Sequence, residues 1–319
     1  MKKIKITNII LLIFFLSNSL FSQRNLIRDT KEWRKYRFEV IFGAGFASYD
    51  GDIGGGIDDA LEHLSVGNWQ ASLVMPAVHV GFRYKIYRWM AVNTNFAFTY
   101  IKGDDSKSND RRKFIRNLSF RTPITELSTQ LEFSIIKEKF SSMSKVNRFR
   151  TFEFRNINTY LFIGIGGFMF NPQAKLRNKD TNDLELFELQ KMGTEGQGIG
   201  SNPPLYNLME ICMPLGIGFK GIISERFSVG IEFGYRFTNT DYIDDASNMY
   251  FDNVLISETY GENAARLADR HLNEDGLPSA TKYPRKTLIR GDPDNNDSYM
   301  FLTFSIIYRL RNDRTGWLF

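Results

Sequence analysis

Residues 123–136 read PITELSTQLEFSII. Taken with a period of two, they place Leu127, Leu131, Phe133 and Ile135 on one face and Glu126, Ser128, Gln130, Glu132 and Ser134 on the other. Successive side chains of a β-strand point to opposite sides, so this alternation predicts a strand with one apolar and one polar surface. Seven further segments are candidate strands, and six of them follow the same rule. Residues 36–48 carry Tyr36, Phe38, Val40, Phe42, Ala44 and Phe46 against Glu39 and glycines, and residues 74–86 carry Val78, Val80, Phe82 and Tyr84 against His79, Arg83 and Lys85. Residues 89–101, 208–220, 227–237 and 299–310 alternate in the same way, whereas 160–170 (YLFIGIGGFMF) is apolar on both faces, which leaves its inward side open.

An apolar face this continuous must meet either a packed core or lipid. Sandwich strands also alternate, but they are usually about five or six residues long. The segments here run to roughly eleven to fourteen, nearer the tilted span that a membrane requires. Their polar faces hold Glu39, Arg83, Glu126, Glu132, Glu210, Glu232, Arg236 and Arg309, charges able to pair inside a narrow lumen. The expected fold is therefore all-β: an eight-stranded antiparallel transmembrane up-and-down β-barrel, with an interior filled by side chains and no open channel. An aromatic content of 14%, with 28 Phe, agrees with this class.

The chain opens MKKIKITNIILLIFFLSNSLFSQ, with Lys2, Lys3 and Lys5 before a short apolar run from Ile9 to Leu16. The pattern predicts a signal peptide over 1–22, and the run is too short to serve as a spanning helix. The expected organisation is then a periplasmic segment at 23–35, the barrel at 36–310 and a tail at 311–319. Loss of the three lysines with the leader lowers the formal charge from +5 to about +2, too balanced for nucleic-acid binding, which needs a concentrated basic face. The lone Cys212 excludes an intrachain disulfide framework, and the three histidines have no ligand spacing. The turns at 87–88 and 222–226 are short, while the segments 49–73, 102–119, 171–206 and 240–298 are long. This asymmetry predicts that the long loops face outward. The basic connection 137–159 is the one long segment on the turn side.

Three loop features invite a chemical reading. Residues 236–252, RFTNTDYIDDASNMYFD, place Asp241, Asp244 and Asp245 just beyond the outer end of a strand, and Asp104 and Asp105 leave another strand on the same side. Clustered carboxylates can hold calcium, which takes six to eight oxygen ligands. The plainer expectation is solvated aspartates at a strand end, or aspartates paired with Arg116 and Arg121. Residues 291–297 (GDPDNND) lack the Gly and Glu of a calcium-binding hand and read as a turn. The glycines of MGTEGQGIGS have no following Lys, so no phosphate cradle is expected. Glu126 and Glu132 lie roughly 20 Å apart along one strand and cannot act on one bond. With no nucleophile motif either, no enzyme, cofactor or small-molecule substrate is expected.

An ordered set of segments resembles a known family. They include FGAGFASYDGDIGG (42–55), PAVHVGFRYKIYRWMAV (76–92), RNLSFRTPITELSTQLEF (116–133), TEGQG (194–198), TDYIDD (240–245) and AARLADR (264–270). Together they resemble the PorG-type outer-membrane proteins of the type IX secretion system of Bacteroidota. The resemblance implies a non-enzymatic barrel of the secretion and gliding machinery, embedded in outer-membrane lipid and associated with a periplasmic ring lipoprotein and its ring partner. Arg116, Arg121, Glu195, Asp241, Asp244 and Asp245 match the family pattern, which implies no role for them. Arg148, Arg150 and Arg155, in the basic 137–159 connection, are the candidate docking residues for the ring. A rival reading is a ligand-binding or adhesion barrel acting through its long surface loops, above all 240–298.

Overall fold

The computed structural model describes residues 32–54, 73–108, 110–137, 157–178, 181–272 and 289–311. Eight long strands form the barrel: β1 (Phe38–Asp50), β2 (Met75–Tyr87), β3 (Met90–Asp104), β4 (Ser119–Ile136), β5 (Ile157–Phe170), β8 (Met209–Ile222), β9 (Phe227–Thr238) and β10 (Ser298–Leu310). Each pairs antiparallel with its neighbour, and β1 closes on β10 from Phe38↔Leu310 to Asp50↔Ser298. Closure leaves these eight strands without a free edge. Two short strands, β6 (Gln173–Arg177) and β7 (Leu184–Glu188), form a hairpin that joins the outer end of β4 through Arg121↔Gln173.

The alternation read in 123–136 is the alternation of burial. Glu126 and Gln130 are fully buried, whereas Leu127 is 59% exposed. The same phase runs around the wall, where Phe42, Val80, Phe96, Ile165, Phe233 and Phe304 all point outward. A continuous exposed apolar belt of this extent is incompatible with water and fits lipid. The chain therefore crosses a membrane by its strands. No helix among the described residues is long and apolar enough to do so.

The ambiguous fifth strand is resolved by its neighbours. Tyr160, Phe162, Phe168 and Phe170 turn inward, and Leu161, Ile163, Ile165 and Met169 face the belt. The bulky rings fill the lumen where β8 and β9 offer glycines. Gly216, for example, has the Phe162 ring within 2.4 Å of where a Cβ would sit.

One boundary differs from the sequence reading. Tyr36 was expected on the lipid face of the first strand. Instead Glu32–Tyr36 forms a short 3-10 turn before β1, and both Trp33 and Tyr36 are buried at the turn end of the barrel. The Arg37 guanidinium lies 5.0 Å from the centre of the Trp33 ring and that of Arg309 lies 5.5 Å from Tyr36. Cation–π contacts with these arginines draw the two rings over the mouth and out of the lipid.

Of the polar-face charges named from the sequence, Glu39, Arg83, Glu126, Glu132 and Arg236 pair in two layers, and Glu232 accepts the Tyr160 hydroxyl (3.0 Å). Toward the turn end, Glu39 meets Lys85 (2.7 Å), Arg83 (3.1 Å) and Lys220 (3.1 Å), and Arg83 also reaches Glu132 (2.7 Å). Toward the loop end, Arg236 meets Glu126 (3.2 Å), which also accepts the Tyr299 hydroxyl (2.9 Å). Glu126 and Glu132 thus belong to separate layers. At the turn-end mouth, Arg309 donates to the carbonyl of Ser224.

Candidate functional site

The barrel's loop end carries a folded cap. Its apolar centre is continuous with the upper lumen: Tyr49, Phe168, Phe170 and Tyr299 of the barrel pack in one cluster with Ile53, Leu189, Ile243, Ala246 and Leu267 of the loops. Among the described residues three short α-helices lie in it, α1 (Arg111–Arg116), α2 (Asn253–Tyr260) and α3 (Glu262–Ala268). Asp110 caps α1 by accepting the Arg112 amide (2.8 Å), and Asn117, in the left-handed region at φ 55°, ends it.

Termination at Asn117 aims Arg116 inward. Its guanidinium binds Asp105 through Nε (2.7 Å) and Nη2 (2.9 Å). It also donates to the carbonyls of Asp52 (2.6 Å) and Arg290 (2.5 Å). Asp105 is fully buried and takes the amides of Gly54 and Leu118, each at 3.0 Å. One arginine thus joins three of the four outer connections.

A second centre is built on Arg290, which is 1% exposed. It reaches Glu195 (2.9 Å), Asp245 Oδ2 (3.2 Å) and the Asp245 carbonyl. Asp245 adopts φ 69°, a conformation that Asp tolerates better than most side chains, and so turns its carboxylate toward Thr194 (2.5 Å) and Tyr206 (2.6 Å). Glu195 also accepts the amides of Ser247 (2.9 Å) and Asn248 (3.1 Å). The third centre is Tyr49, whose hydroxyl lies 2.6 Å from Asp244 and 2.5 Å from Asp297. One hydroxyl proton cannot serve two carboxylates, so one of the pair must itself be protonated. Asp244 further accepts the amides of Ile53 (2.9 Å) and Ala246 (2.8 Å), and Asp297 accepts that of Ile243 (2.8 Å).

These centres correct the expectation of solvated aspartates. Asp244 and Asp245 are fully buried and Asp241 is 6% exposed. The five carboxylates considered for calcium do not form one ligand set: Asp105 is held by Arg116, Asp104 caps the turn at Ser106 (3.1 Å), and Asp245 faces Arg290. Among the described residues no group of three or more His, Cys, Asp or Glu side chains has the geometry of a metal site. Arg116 does pair with an aspartate, whereas Arg121 points outward and lies over the Tyr100 ring at 3.8 Å. The turn at 291–297 is a turn, yet its last residue, Asp297, is buried in the Tyr49 centre. Arg148, Arg150 and Arg155 lie outside the described residues, as do 1–31 and 312–319.

Sequence reading missed Arg290, Asp297, Asp52, Tyr49, Thr194 and Tyr206 as members of the network. The one local signal is a charge enclosed by Ile289 and Gly291. Gly291 itself is constrained, because a Cβ there would come within 2.5 Å of the Ala246–Ser247 backbone. The change Gly291→Ala is expected to push that segment away from Arg290 at a cost of about 1–3 kcal/mol. Faster proteolysis within 240–248 than in wild type, with the barrel still compact, is the check; equal rates would contradict it.

The cap should respond to pH. Burial pushes the Asp241 carboxyl up to about 8, helped by the charges of Asp52 and Asp244. Burial and Asp52 push Asp244 up to about 7, and burial raises Asp245 to about 6 against the pull of Arg290. In an open cap these groups titrate near about 3.9. The closed cap therefore binds more protons between pH about 4 and about 8. Its stability is greatest below that window and is lost as pH rises through it. Exchange of the Ile53, Ile243 and Ala246 amides, corrected for intrinsic rates, is expected to be faster at pH 8.5 than at pH 5. Slower exchange at the higher pH would mean that the closed cap holds these groups as anions.

Fold and belt together define the class: a transmembrane β-barrel of eight strands with a loop-built cap. No family model matches the chain, and no curated protein matches it either. Among solved structures it is similar to Neisserial surface protein A (7% identity, 85% of this chain and 96% of that one, TM-score 0.32). It is also similar to the attachment invasion locus protein Ail of Yersinia pestis (8%, 85% and 97%, 0.32) and to the outer membrane protein OprG of Pseudomonas aeruginosa (9%, 87% and 98%, 0.33). At these scores the fold stands on the strand pairing of this chain itself.

Proposed function

We propose that the chain is an outer-membrane β-barrel acting as a non-enzymatic structural subunit of a protein-export machine of the type IX kind, docked through its turn side to a periplasmic lipoprotein ring. One observation carries this reading. The segments with the most specific resemblance to that family, RNLSF, TEGQG and TDYIDD, meet in the network of Arg116, Glu195, Asp245 and Arg290. They are scattered in sequence but form one structural unit, and this convergence supports the reading. A lumen filled by buried ion pairs favours assembly over conduction.

The test is affinity purification of the tagged chain from native membranes. Recovery of the ring lipoprotein and its partner supports the proposal. Exchange of Arg148, Arg150 and Arg155 for Glu is then expected to weaken that recovery several-fold, and unchanged recovery would sink the docking role of those residues. A second reading, recognition or adhesion at the cell surface, is favoured by exposed apolar side chains on the cap, with Ile289 71% and Met249 57% exposed. If loss of the 240–298 loop abolished surface binding but left export intact, the second reading would replace the first.

A further inference from the structure

The β3–β4 hairpin extends beyond the apolar belt at the loop end. On its outer face Lys102 pairs directly with Arg121, and Arg121 in turn stands beside Gln173 of β6. Two residues further along β6, Lys175 points the same way and is exposed. Like charges placed directly opposite on neighbouring strands repel, and their Cβ atoms are about 5 Å apart. The acids nearby are engaged elsewhere. Glu188, next in the row after Gln173, is held by Lys191 (2.5 Å) and Asn171 (3.1 Å). Asp104, one row outward, caps Ser106 and faces Arg270, which also donates to Ser119 (2.9 Å).

Depth matters as much as charge. Along β3 the outward side chains run Phe96, Phe98, Tyr100 and then Lys102. The cations therefore begin one outward position, roughly 7 Å, beyond the last aromatic of the belt. That is the level of lipid headgroups, and Arg121 lies on Tyr100 as a side chain held flat against the wall.

We propose that the outward face of β3, β4 and β6, with Lys102, Arg121 and Lys175, is a docking surface for the phosphate groups of a phosphorylated lipid in the outer leaflet. The lipid phosphate supplies the anion that relieves the Lys102–Arg121 repulsion, while Tyr100 and the belt below it contact the acyl region. This assignment rests on the reading that the long loops face outward from an outer membrane.

The full chain, purified from membranes in mild detergent, would be placed in phosphatidylcholine nanodiscs containing a bis-phosphorylated glycolipid or the same glycolipid stripped of phosphate. Retained lipid is then counted by native mass spectrometry. Wild type is expected to retain the phosphorylated form at least about tenfold over the stripped form, the scale that several juxtamembrane cations supply. The variant Lys102→Ser/Arg121→Ser/Lys175→Ser should lose the preference, and Lys102→Arg/Lys175→Arg should keep it. If the triple variant does not give a compact barrel, Arg121→Gln alone should reduce the preference measurably. Equal retention of both lipids by wild type overturns the proposal, as does an unchanged preference in a folded variant. An acidic polypeptide that co-purifies with wild type and is lost with the triple variant, while lipid retention stays the same, would assign the surface to a protein instead. Orientation is read separately by labelling Met249→Cys on intact cells with an impermeant maleimide. Labelling supports the outward reading; its absence overturns that reading and the outer-leaflet source with it, whatever the nanodiscs show.

Discussion

Replacing Arg290 by Met is expected to open the cap while leaving the barrel closed. The guanidinium is the shared partner of Glu195 and Asp245, all three being almost fully buried. Removing one member of a buried ionic set leaves uncompensated charge, typically at a cost of about 3–5 kcal/mol. Thr194, Tyr206 and the amides of Ser247 and Asn248 still donate to the two carboxylates, so the loss falls on the cap's closure and not on the strands. Proteolysis of native-state protein should cut in 194–198 and 240–248, while the heat-resistant compact form of the barrel persists on gels. The triple change Arg290→Met/Glu195→Gln/Asp245→Asn should recover a large part of the loss, because it removes the orphaned charges as well. If Arg290→Met alone left the cap protected, the two connections 171–206 and 240–298 would be held by their apolar core and not by this network.

The second large effect is expected in the lumen. Glu39 is fully buried and is the common partner of Arg83, Lys85 and Lys220. The change Glu39→Gln removes the carboxylate that these three cations share in a water-poor lumen, while Arg83 keeps its pairing with Glu132. A loss of about 3–5 kcal/mol is expected here too, now from the barrel itself. It should appear as a lower temperature for conversion of the compact form to the extended one in detergent. Adding Lys220→Met to Glu39→Gln should raise that temperature again, since it reduces the repulsion. A temperature unchanged by Glu39→Gln would show that water enters the turn end freely enough to solvate the cations.

Legibility in the sequence followed the range of the interactions concerned. A strand in a barrel wall has lipid on one side and packed side chains on the other, so its alternation is written in consecutive residues. Leu127 against Glu126 is enough to orient β4, and seven such segments with 160–170 as the eighth strand specify an eight-stranded barrel. The pairing of lumenal charges was legible for the same reason, since every inward position of a narrow barrel has close neighbours across it. Where the local pattern failed, as in 160–170, the inward face depended on whether the space opposite could take an aromatic ring. The glycines of β8 and β9 provide that space.

The cap was beyond such reading. Its decisive contacts join residues far apart in the chain, Tyr49 with Asp297 and Arg290 with Glu195, through segments without periodicity. From sequence, Asp241, Asp244 and Asp245 were polar residues past a strand end, for which solvent is the default surrounding. The closed barrel gathers four outer connections over one small opening, and the apolar side chains Ile53, Ile243, Ala246 and Leu267 then exclude water around them. Carboxylates caught in that closure must find a cation, a donor or a proton. Amino-acid order therefore determined where the strands run and which face meets lipid, because burial on a strand is set by neighbours two residues away. Which loop charges become buried, and with what partners, was decided by barrel closure, because only then do distant segments share one dry volume.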